Sequence, residues 1–592
     1  MKQVALLLAV ALLSTSGLAQ VTFQRYELGD FGIDTAFGYT QNSFVDYNRD
    51  GYLDFFNGQV YLNDGTGQFS LLDSTRIAGA EIVDWGDFDN DGYPDLITNL
   101  RFGGKPNDTN YILIYRNEGP PNWVLRDVSD SMGLGYTMPF YDKDLVDPAW
   151  FDYDNDGWLD FYLTSYEYPE VAVGQPDYLF HSDSGRCFDD VSDMSQVSMF
   201  YRCSRGISLL DFDEDNDVDV FVSVYRLQPN LLWQNNSNGT FTDVATQKGV
   251  AGLYISGYYG HNIGAAVADF NNDGHMDITT PITHHPGNVG DSTGHLWISN
   301  GPPGWTFTCH WPGSGLRNTE IGSSPSVADF DNDGDLDLFY VNLYGAPGDG
   351  AWLYRNDGDC QFTDVTDSCG LGIRQGKYYA IWCDVNEDGF MDLLWSWYLF
   401  WPTFAGAEFM INTGGNGNHW LEVDVAGEGG VNRSAIGTRL DVFADSLQVT
   451  REVLHNGGNH YGSMYVSRQH FGLGPRTTVD SLVVRWPNGN RMVLEDPGID
   501  TILRIGPVVG TVDKPSIRVE PARLETRTNG YEVEVRLGNR TATVVDAAGR
   551  VCGSLLSDAE GVARWRPAST GVYFIVAQRG EEQQVAKVVL LR

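Results

Sequence analysis

Residues 327–340 read VADFDNDGDLDLFY, five aspartates within nine positions followed at once by an apolar run. Asp329, Asp331 and Asp333 stand at positions 1, 3 and 5 of a short frame, with Gly334 at position 6 and Asp337 at position 9. Alternate carboxylates around a tight turn that glycine permits converge on one point, where the residue at position 7 can add its backbone carbonyl. Left bare, these carboxylates repel one another. An oxygen-only donor set in a flexible ring suits calcium, a hard cation that takes about six to eight oxygens. Magnesium fits less well, because it requires a stricter octahedron and keeps its waters.

The frame recurs six more times, and the stretch above is the sixth of seven. Asp46, Asn48, Asp50, Gly51 and Asp54 form the first loop, and Asp87, Asp89, Asp91, Gly92 and Asp95 the second. Asp152, Asp154, Asp156, Gly157 and Asp160 form the third, and Asp211, Asp213, Asp215, Asn216 and Asp219 the fourth. The fifth holds Asp269, Asn271, Asp273, Gly274 and Asp277; the seventh holds Asp384, Asn386, Asp388, Gly389 and Asp392. Only the fourth replaces the glycine, by Asn216, the residue next most at ease with positive φ. An EF-hand loop begins the same way but needs a bidentate Glu at position 12 and a helix on each side. Position 12 here is Asn57, Thr98, Leu163, Val222, Thr280, Tyr340 and Trp395. The flanks, such as LDLFYVNL and VDVFVSVY, are short aromatic and β-branched runs that read as strands. The sequence therefore predicts up to seven calcium ions in strand–loop–strand units and rejects EF-hands.

The chain has 592 residues, more than one ordinary core accommodates, so several domains are expected. Its start, MKQVALLLAVALLSTSGLAQ, has Lys2, an apolar stretch from Val4 to Leu13 and small residues before Ala19. Residues 1–19 read as a signal peptide too short to anchor in a membrane, and no later apolar run reaches spanning length. Export to the medium or the cell surface is the expectation. A net charge of −41 argues against nucleic acid and anionic lipid as partners. Of the 79 acidic residues, 25 are aspartates at positions 1, 3, 5 and 9 of the loops, so much of that charge belongs to the sites. Seven cysteines are few for this length and make disulfides accessories. Cys360 with Cys369, and Cys187 with Cys203, are candidate pairs, whereas Cys383 reads as a small buried apolar residue.

Successive first aspartates are 41, 65, 59, 58, 60 and 55 residues apart. Each unit has a strand entering the loop and a second leaving it. A third ends at an Asn/Gly turn, as in AWLYRNDGD, and a fourth opens on an aromatic, as in TFTDVATQKG. Four strands per repeat at this period predict the blades of a β-propeller. The seventh unit lacks its aromatic fourth strand, and QVTFQRYELG near the N-terminus can supply one. Phe23 lies 23 residues before Asp46, as Phe188 lies 23 before Asp211 and Phe362 lies 22 before Asp384. The N-terminal strand is thus expected to complete the last blade.

These loops resemble the FG-GAP/VCBS repeats of integrin-type β-propellers over about residues 20–415. The resemblance implies calcium in a hairpin loop toward one face of the disc, in a structural role, with ligands bound elsewhere. A second stretch, residues 416–508, resembles the ASPIC/UnbV domain through Asn432, Arg433, Ile436, Gly437, Phe471, Gly472, Leu473, Gly474, Trp486, Pro487 and Gly489. It departs from that pattern at Ser463-Met464, where the family usually has Ser-Gln. The combination is similar to bacterial relatives of the cartilage acidic protein family. Residues 509–526 read as a linker. Residues 527–592 resemble a type IX secretion sorting domain through Asp546, Gly549, Gly571, Tyr573 and Phe574, which implies passage across an outer membrane. The expected fold class is all-β: a seven-bladed β-propeller, then a β-rich domain, then a small C-terminal β-sandwich.

Gly-x-Ser-x-Gly occurs once, at Gly290-Asp291-Ser292-Thr293-Gly294, but no strand-forming run precedes it as a nucleophile elbow requires, and no P-loop appears in the sequence. His284, His285 and His295, with His261 upstream, could gather a transition metal but read first as loop histidines, as do His455 and His460. The leading reading is a secreted or cell-surface calcium-binding propeller that mediates adhesion or binds an extracellular protein or glycan. The enzymatic alternative is a polysaccharide lyase built on the same scaffold, and a purely structural matrix protein is the third.

Overall fold

The computed structural model describes residues 21–34, 42–77, 80–101, 110–135, 145–168, 173–282, 294–311, 313–316, 324–341, 351–372, 377–400, 403–454 and 468–506, and in the C-terminal region 525–529, 532–536, 541–546, 551–556, 562–565, 571–579 and 582–590. The chain divides into two compact units, Met1–Gly510 and Thr511–Arg592. It is all-β. The two described α-helices, Ser192–Ser195 and Ala245–Lys248, are single turns, and no helix among the described residues is long and apolar enough to cross a membrane.

In the first unit each aspartate loop joins the first two strands of a four-stranded antiparallel sheet. The sixth sheet is typical, with strands Ser324–Ala328, Asp337–Val341, Trp352–Asn356 and Phe362–Asp364. Position 9 of the loop always opens the second strand, so Ala328 faces Asp337, Leu210 faces Asp219 and Val45 faces Asp54. The second strand is buried along its length, as in Asp219–Val224, which is why it reads as a continuous apolar run. The fourth strand buries only its leading aromatic: Phe241 is covered, whereas Thr242 is exposed.

The seventh sheet holds Lys377–Cys383, Asp392–Phe400 and Thr403–Asn412, and its fourth strand is Phe23–Glu27 from the chain start. Phe23 pairs with Asn412 and packs its ring 6.0 Å from those of Phe330 and Trp382. Neighbouring sheets share apolar cores; Phe44 and Phe55 of the first sheet pack with Ile381, Leu394 and Phe409 of the seventh. Asparagines ending the third strands add polar links. Asn117 Nδ2 donates to Tyr47 O at 3.0 Å, Asn356 Nδ2 to Phe270 O at 2.8 Å and Asn412 Nδ2 to Phe330 O at 2.8 Å. Asn63 Nδ2 donates to Val385 O at 3.0 Å, which joins the first sheet to the seventh.

Neither expected disulfide forms. Cys187, Cys203, Cys360 and Cys369 are all thiols, and Cys360 and Cys369 sit in different apolar clusters. Burial as small apolar groups accounts for Cys203, Cys360 and Cys369, whereas Cys187 is half-buried. His295 also departs from its loop reading, lying buried within the strand His295–Ser299. His284, His285, His455, His460 and the Ser463-Met464 departure lie outside the described residues.

Residues 419–454 and 468–505 build two further sheets. His419–Val425 pairs antiparallel with Arg468–Gly474 and parallel with Ile502–Ile505. The other runs Leu447–Val453, Thr438–Ala444, Ser481–Arg485 and Arg491–Glu495, and Leu421, Val442, Phe471 and Val484 share their core. The second unit contains a three-stranded and a four-stranded antiparallel sheet.

Candidate metal centres

Backbone amides aim the loop carboxylates inward. In the sixth loop Asp329 Oδ1 accepts from Asp333 N at 3.0 Å and Oδ2 from Gly334 N at 2.8 Å. Asp337 Oδ2 accepts from Phe330 N at 3.0 Å, and its Oδ1 accepts from Asn356 N, at the end of the third strand, at 2.8 Å. The other six loops repeat the pattern, so positions 1 and 9 are fixed by four amides before any cation arrives. In the first loop these are Asp50 N and Gly51 N on Asp46, and Tyr47 N and Asn63 N on Asp54. In the seventh they are Asp388 N and Gly389 N on Asp384, and Val385 N and Asn412 N on Asp392.

Carboxylate oxygens then gather. Asp87, Asp89 and Asp95 each place an oxygen within 4.8 Å of the others; so do Asp152, Asp154 and Asp160, then Asp211, Asp213 and Asp219, then Asp329, Asp331 and Asp333. The first, fifth and seventh loops carry Asn48, Asn271 and Asn386 at position 3 and hold three carboxylates each. Burial drives the acids up. Asp46 is pushed to about 6, Asp87 and Asp269 to about 7, and Asp152 and Asp211 to about 8, chiefly by desolvation. Asp54, Asp95, Asp219, Asp277, Asp337 and Asp392 rise well above the usual range for the same cause. Asp213 Oδ1 and Asp331 Oδ1 are buried without a hydrogen-bond partner in the protein. Buried, mutually repelling oxygens with unused lone pairs fit a hard divalent cation, which would hold them ionised.

The residue before the end of the third strand reaches the same carboxylates, and sequence reasoning missed it. Arg116 Nε lies 2.6 Å from Asp89 Oδ2, and Arg116 Nη2 lies 3.2 Å from Asp91 Oδ2. His181 Nδ1 lies 3.2 Å from Asp160 Oδ1 and 3.7 Å from Asp154 Oδ2, and Gln234 Nε2 donates to Asp213 Oδ2 at 2.5 Å. Arg355 acts on Asp331 and Asp333 electrostatically. These loops are the ones with an aspartate at position 3. Where position 3 is asparagine, the corresponding residues are Leu62, Ile298 and Ile411.

Residues 419–454 and 468–505 lie over the loops. Asp87 N donates to Ser434 Oγ at 2.9 Å, Asp211 N to Glu452 Oε2 at 3.2 Å, Arg433 N to Asn90 Oδ1 at 2.9 Å and Gly474 N to Asn332 O at 2.7 Å. A Cβ added to Gly51 would collide with Arg504, and one added to Gly389 with Trp420, so these glycines serve close approach as well as positive φ. A cavity of about 120 Å³ remains beneath, lined by Asp329, Asp384, Glu422, Arg451, Arg468 and His470.

Comparison with known proteins agrees with the two motif sets. A model described as FG-GAP-like repeat matches residues 57–98, 211–280 and 329–395, and the ASPIC and UnbV model matches residues 428–511. The chain is homologous to cartilage acidic protein 1. It is 27% identical to the Mus musculus protein over 438 residues, 68% of this chain and 60% of that protein. It is 27% identical to the Homo sapiens protein over 474 residues, 74% of this chain and 64% of that one. The match thus spans less than two thirds of either relative. A Trypanosoma rangeli sialidase in complex with 2,3-difluorosialic acid is similar at TM-score 0.34 and 9% identity, covering 97% of this chain and 91% of that one. A score that low carries no argument.

Proposed function

We propose that the protein is an exported, calcium-loaded β-propeller of seven closed blades that binds an extracellular protein or glycan. The observation carrying this reading is the sevenfold set of loops whose position-1 and position-9 carboxylates are amide-fixed and, apart from half-buried Asp211, buried, with carboxylate oxygens gathered within 4.8 Å of one another in the second, third, fourth and sixth loops. Closure is supported by the Phe23–Asn412 pairing and by the bond from Asn63 to Val385. Export is supported by residues 1–19, and passage across an outer membrane by the motif residues of 527–592.

The ligand surface lies on this reading at the sheet edges opposite the loops. Tyr201 precedes the first strand of the fourth sheet, and Tyr254, Ile255 and Tyr258 precede that of the fifth, at strand ends remote from the aspartates. All four side chains are exposed, Tyr254 by 66%. Aromatic rings at a wet surface suit the apolar faces of sugars and protein anchors alike. Metal analysis of the calcium-purified chain tests the reading, with about seven ions expected per chain and none or one refuting it. Arrays of glycans and surface proteins, probed with the chain and with Tyr254→Ser/Tyr258→Ser, test the surface; binding indifferent to the double substitution removes it.

A further inference from the structure

Position 4 of every aspartate loop is left-handed: Arg49, Asn90, Asn155, Glu214, Asn272, Asn332 and Glu387 have φ between 55° and 57°. From there the side chain reaches the next loop. Arg49 Nε donates to Gly92 O at 2.9 Å, Asn90 Nδ2 to Gly157 O at 2.9 Å and Asn155 Nδ2 to Asn216 O at 3.3 Å. Asn272 Nδ2 donates to Gly334 O at 3.2 Å and Asn332 Nδ2 to Gly389 O at 2.9 Å. Each acceptor is the position-6 carbonyl of the following loop. Five of seven links in a circuit are therefore direct.

The other two positions hold glutamate, which when ionised has nothing to donate. Glu214 Oε1 does lie 2.6 Å from His275 Nδ1 of the fifth loop, but in both places the bond to the next position-6 carbonyl comes from residues 419–454 and 468–505. Arg439 Nη1 lies 3.3 Å from Glu214 Oε1 while its Nη2 donates to Gly274 O, joining the fourth loop to the fifth. Arg468 Nη1 lies 3.3 Å from Glu387 Oε1 while its Nη2 donates to Gly51 O, joining the seventh loop to the first. Arg504 Nη2 adds a second donor to Gly51 O at 3.0 Å. Arg439 also meets Asp441 and Glu452, and Arg468 meets Glu422, so both guanidinium groups arrive already oriented.

We propose that the ASPIC/UnbV domain is a clasp for the loop circuit, with Glu214 and Glu387 as its recognition residues and Arg439 and Arg468 as the links they cannot make. Glutamate is a poor occupant of left-handed backbone, where asparagine is at ease. Each also adds negative charge beside loops already crowded with carboxylates. Direct linkage alone would favour asparagine at both places. Glutamate makes sense where a planar, forked cation must be captured, since guanidinium can meet a carboxylate and a carbonyl with two nitrogens at once, which a lysine ammonium does not match. Positions 4 and 6 donate no side chain to the cation sites, so the clasp stands or falls separately from the calcium reading.

The test is a pair of double-substitution cycles in the full chain, each run in calcium and in chelator. Arg468→Met should lower Tm by about 3–5 °C, the cost of stranding a buried carboxylate in a unit of this size. In the Glu387→Asn background, where asparagine can make the direct link, the same change should cost measurably less, the remainder being the loss of the partner of buried Glu422. Arg439→Met with Glu214→Asn should behave alike. Amide exchange should localise the effect, rising in residues 46–54 and 384–392 for Arg468→Met and in 211–219 and 269–277 for Arg439→Met. If a single arginine variant does not fold, its asparagine partner should rescue folding. Additive Tm losses, uniform exchange or failed rescue in both cycles overturns the proposal.

Discussion

Removing calcium should unfasten the first unit, and the size of the effect follows from the loops. A site held at ten times its dissociation constant contributes RT ln 11, about 1.4 kcal/mol, and seven independent sites contribute about 10 kcal/mol. The unfolding entropy of a unit of roughly 490 ordered residues is about 1 kcal/mol per kelvin at about 2.1 cal/mol/K per residue. Calcium at that excess is therefore expected to raise Tm by about 10 °C. Scanning calorimetry at pH 7.5, in calcium and then in a calcium-selective chelator with magnesium present, measures it. Position-1 acids such as Asp152 and Asp211, pushed to about 8 by burial, take up protons when no cation is bound, which partly offsets the cost of emptying the loops. A Tm that moves by less than about 2 °C, together with calcium retained by the washed protein, would mean the ions sit elsewhere; the same Tm with no calcium bound would remove the sites altogether.

The metal-free and calcium-loaded proteins should answer pH with opposite slopes. A carboxyl whose folded pKa is raised from 3.8 to about 7 or 8, as for Asp87 and Asp152, stabilises the fold most below about pH 4 and loses that contribution progressively as pH rises from there to about 7 or 8. Tm in chelator should accordingly rise on acidification from pH 8.5 to 6, whereas in limiting calcium it should fall as protons displace the ion; parallel slopes would refute this. Arg116→Met should tighten the second loop for calcium by about three- to tenfold, since a half-exposed guanidinium beside Asp89 competes with the cation. Unchanged calcium titration of that variant would show the arginine to be a bystander. Deleting Gln20–Leu28 removes Phe23 from its place against Phe330 and Trp382 and opens the edge of the seventh sheet, so Tm should drop markedly. An unchanged melting curve would argue against the N-terminal strand as a fastening.

The aspartate frame was legible because its information is local: nine residues specify the turn, the donors and the strand that follows. The N-terminal strand was legible for a related reason, since Phe23 keeps the spacing that Phe188 and Phe362 keep from their next loops. Partners from a distant strand were not. Arg116 and His181 each follow their loop's first aspartate by 29 residues, across a connection of variable length. Aligning the third strands on Asn63, Asn117, Ser182, Asn235, Ser299, Asn356 and Asn412 would have exposed them, because a polar residue precedes that position only where position 3 is aspartate. The cysteine pairings failed because proximity in sequence says nothing about which apolar cluster a thiol enters. The position-4 glutamates look like two more acids in an acidic chain until Arg439 and Arg468 are seen beside them.

Covering the loop face has a consequence for ligand binding. Every described aspartate loop has a neighbour from residues 419–505: Arg468 and Arg504 at the first, Ser434 at the second, Gly430 at the third and Glu452 at the fourth. Arg439 serves the fifth, His470 the sixth and Trp420 the seventh. A ligand approaching from that side would have to displace a buried arginine network, leaving carboxylates such as Glu422 unpaired at several kcal/mol each. Binding through the opposite strand ends disturbs none of these contacts. On the function proposed above, the cations and their cap would act as a rigid base, and specificity would rest with the turns at the far edge, where Tyr201, Tyr254 and Tyr258 are already in water.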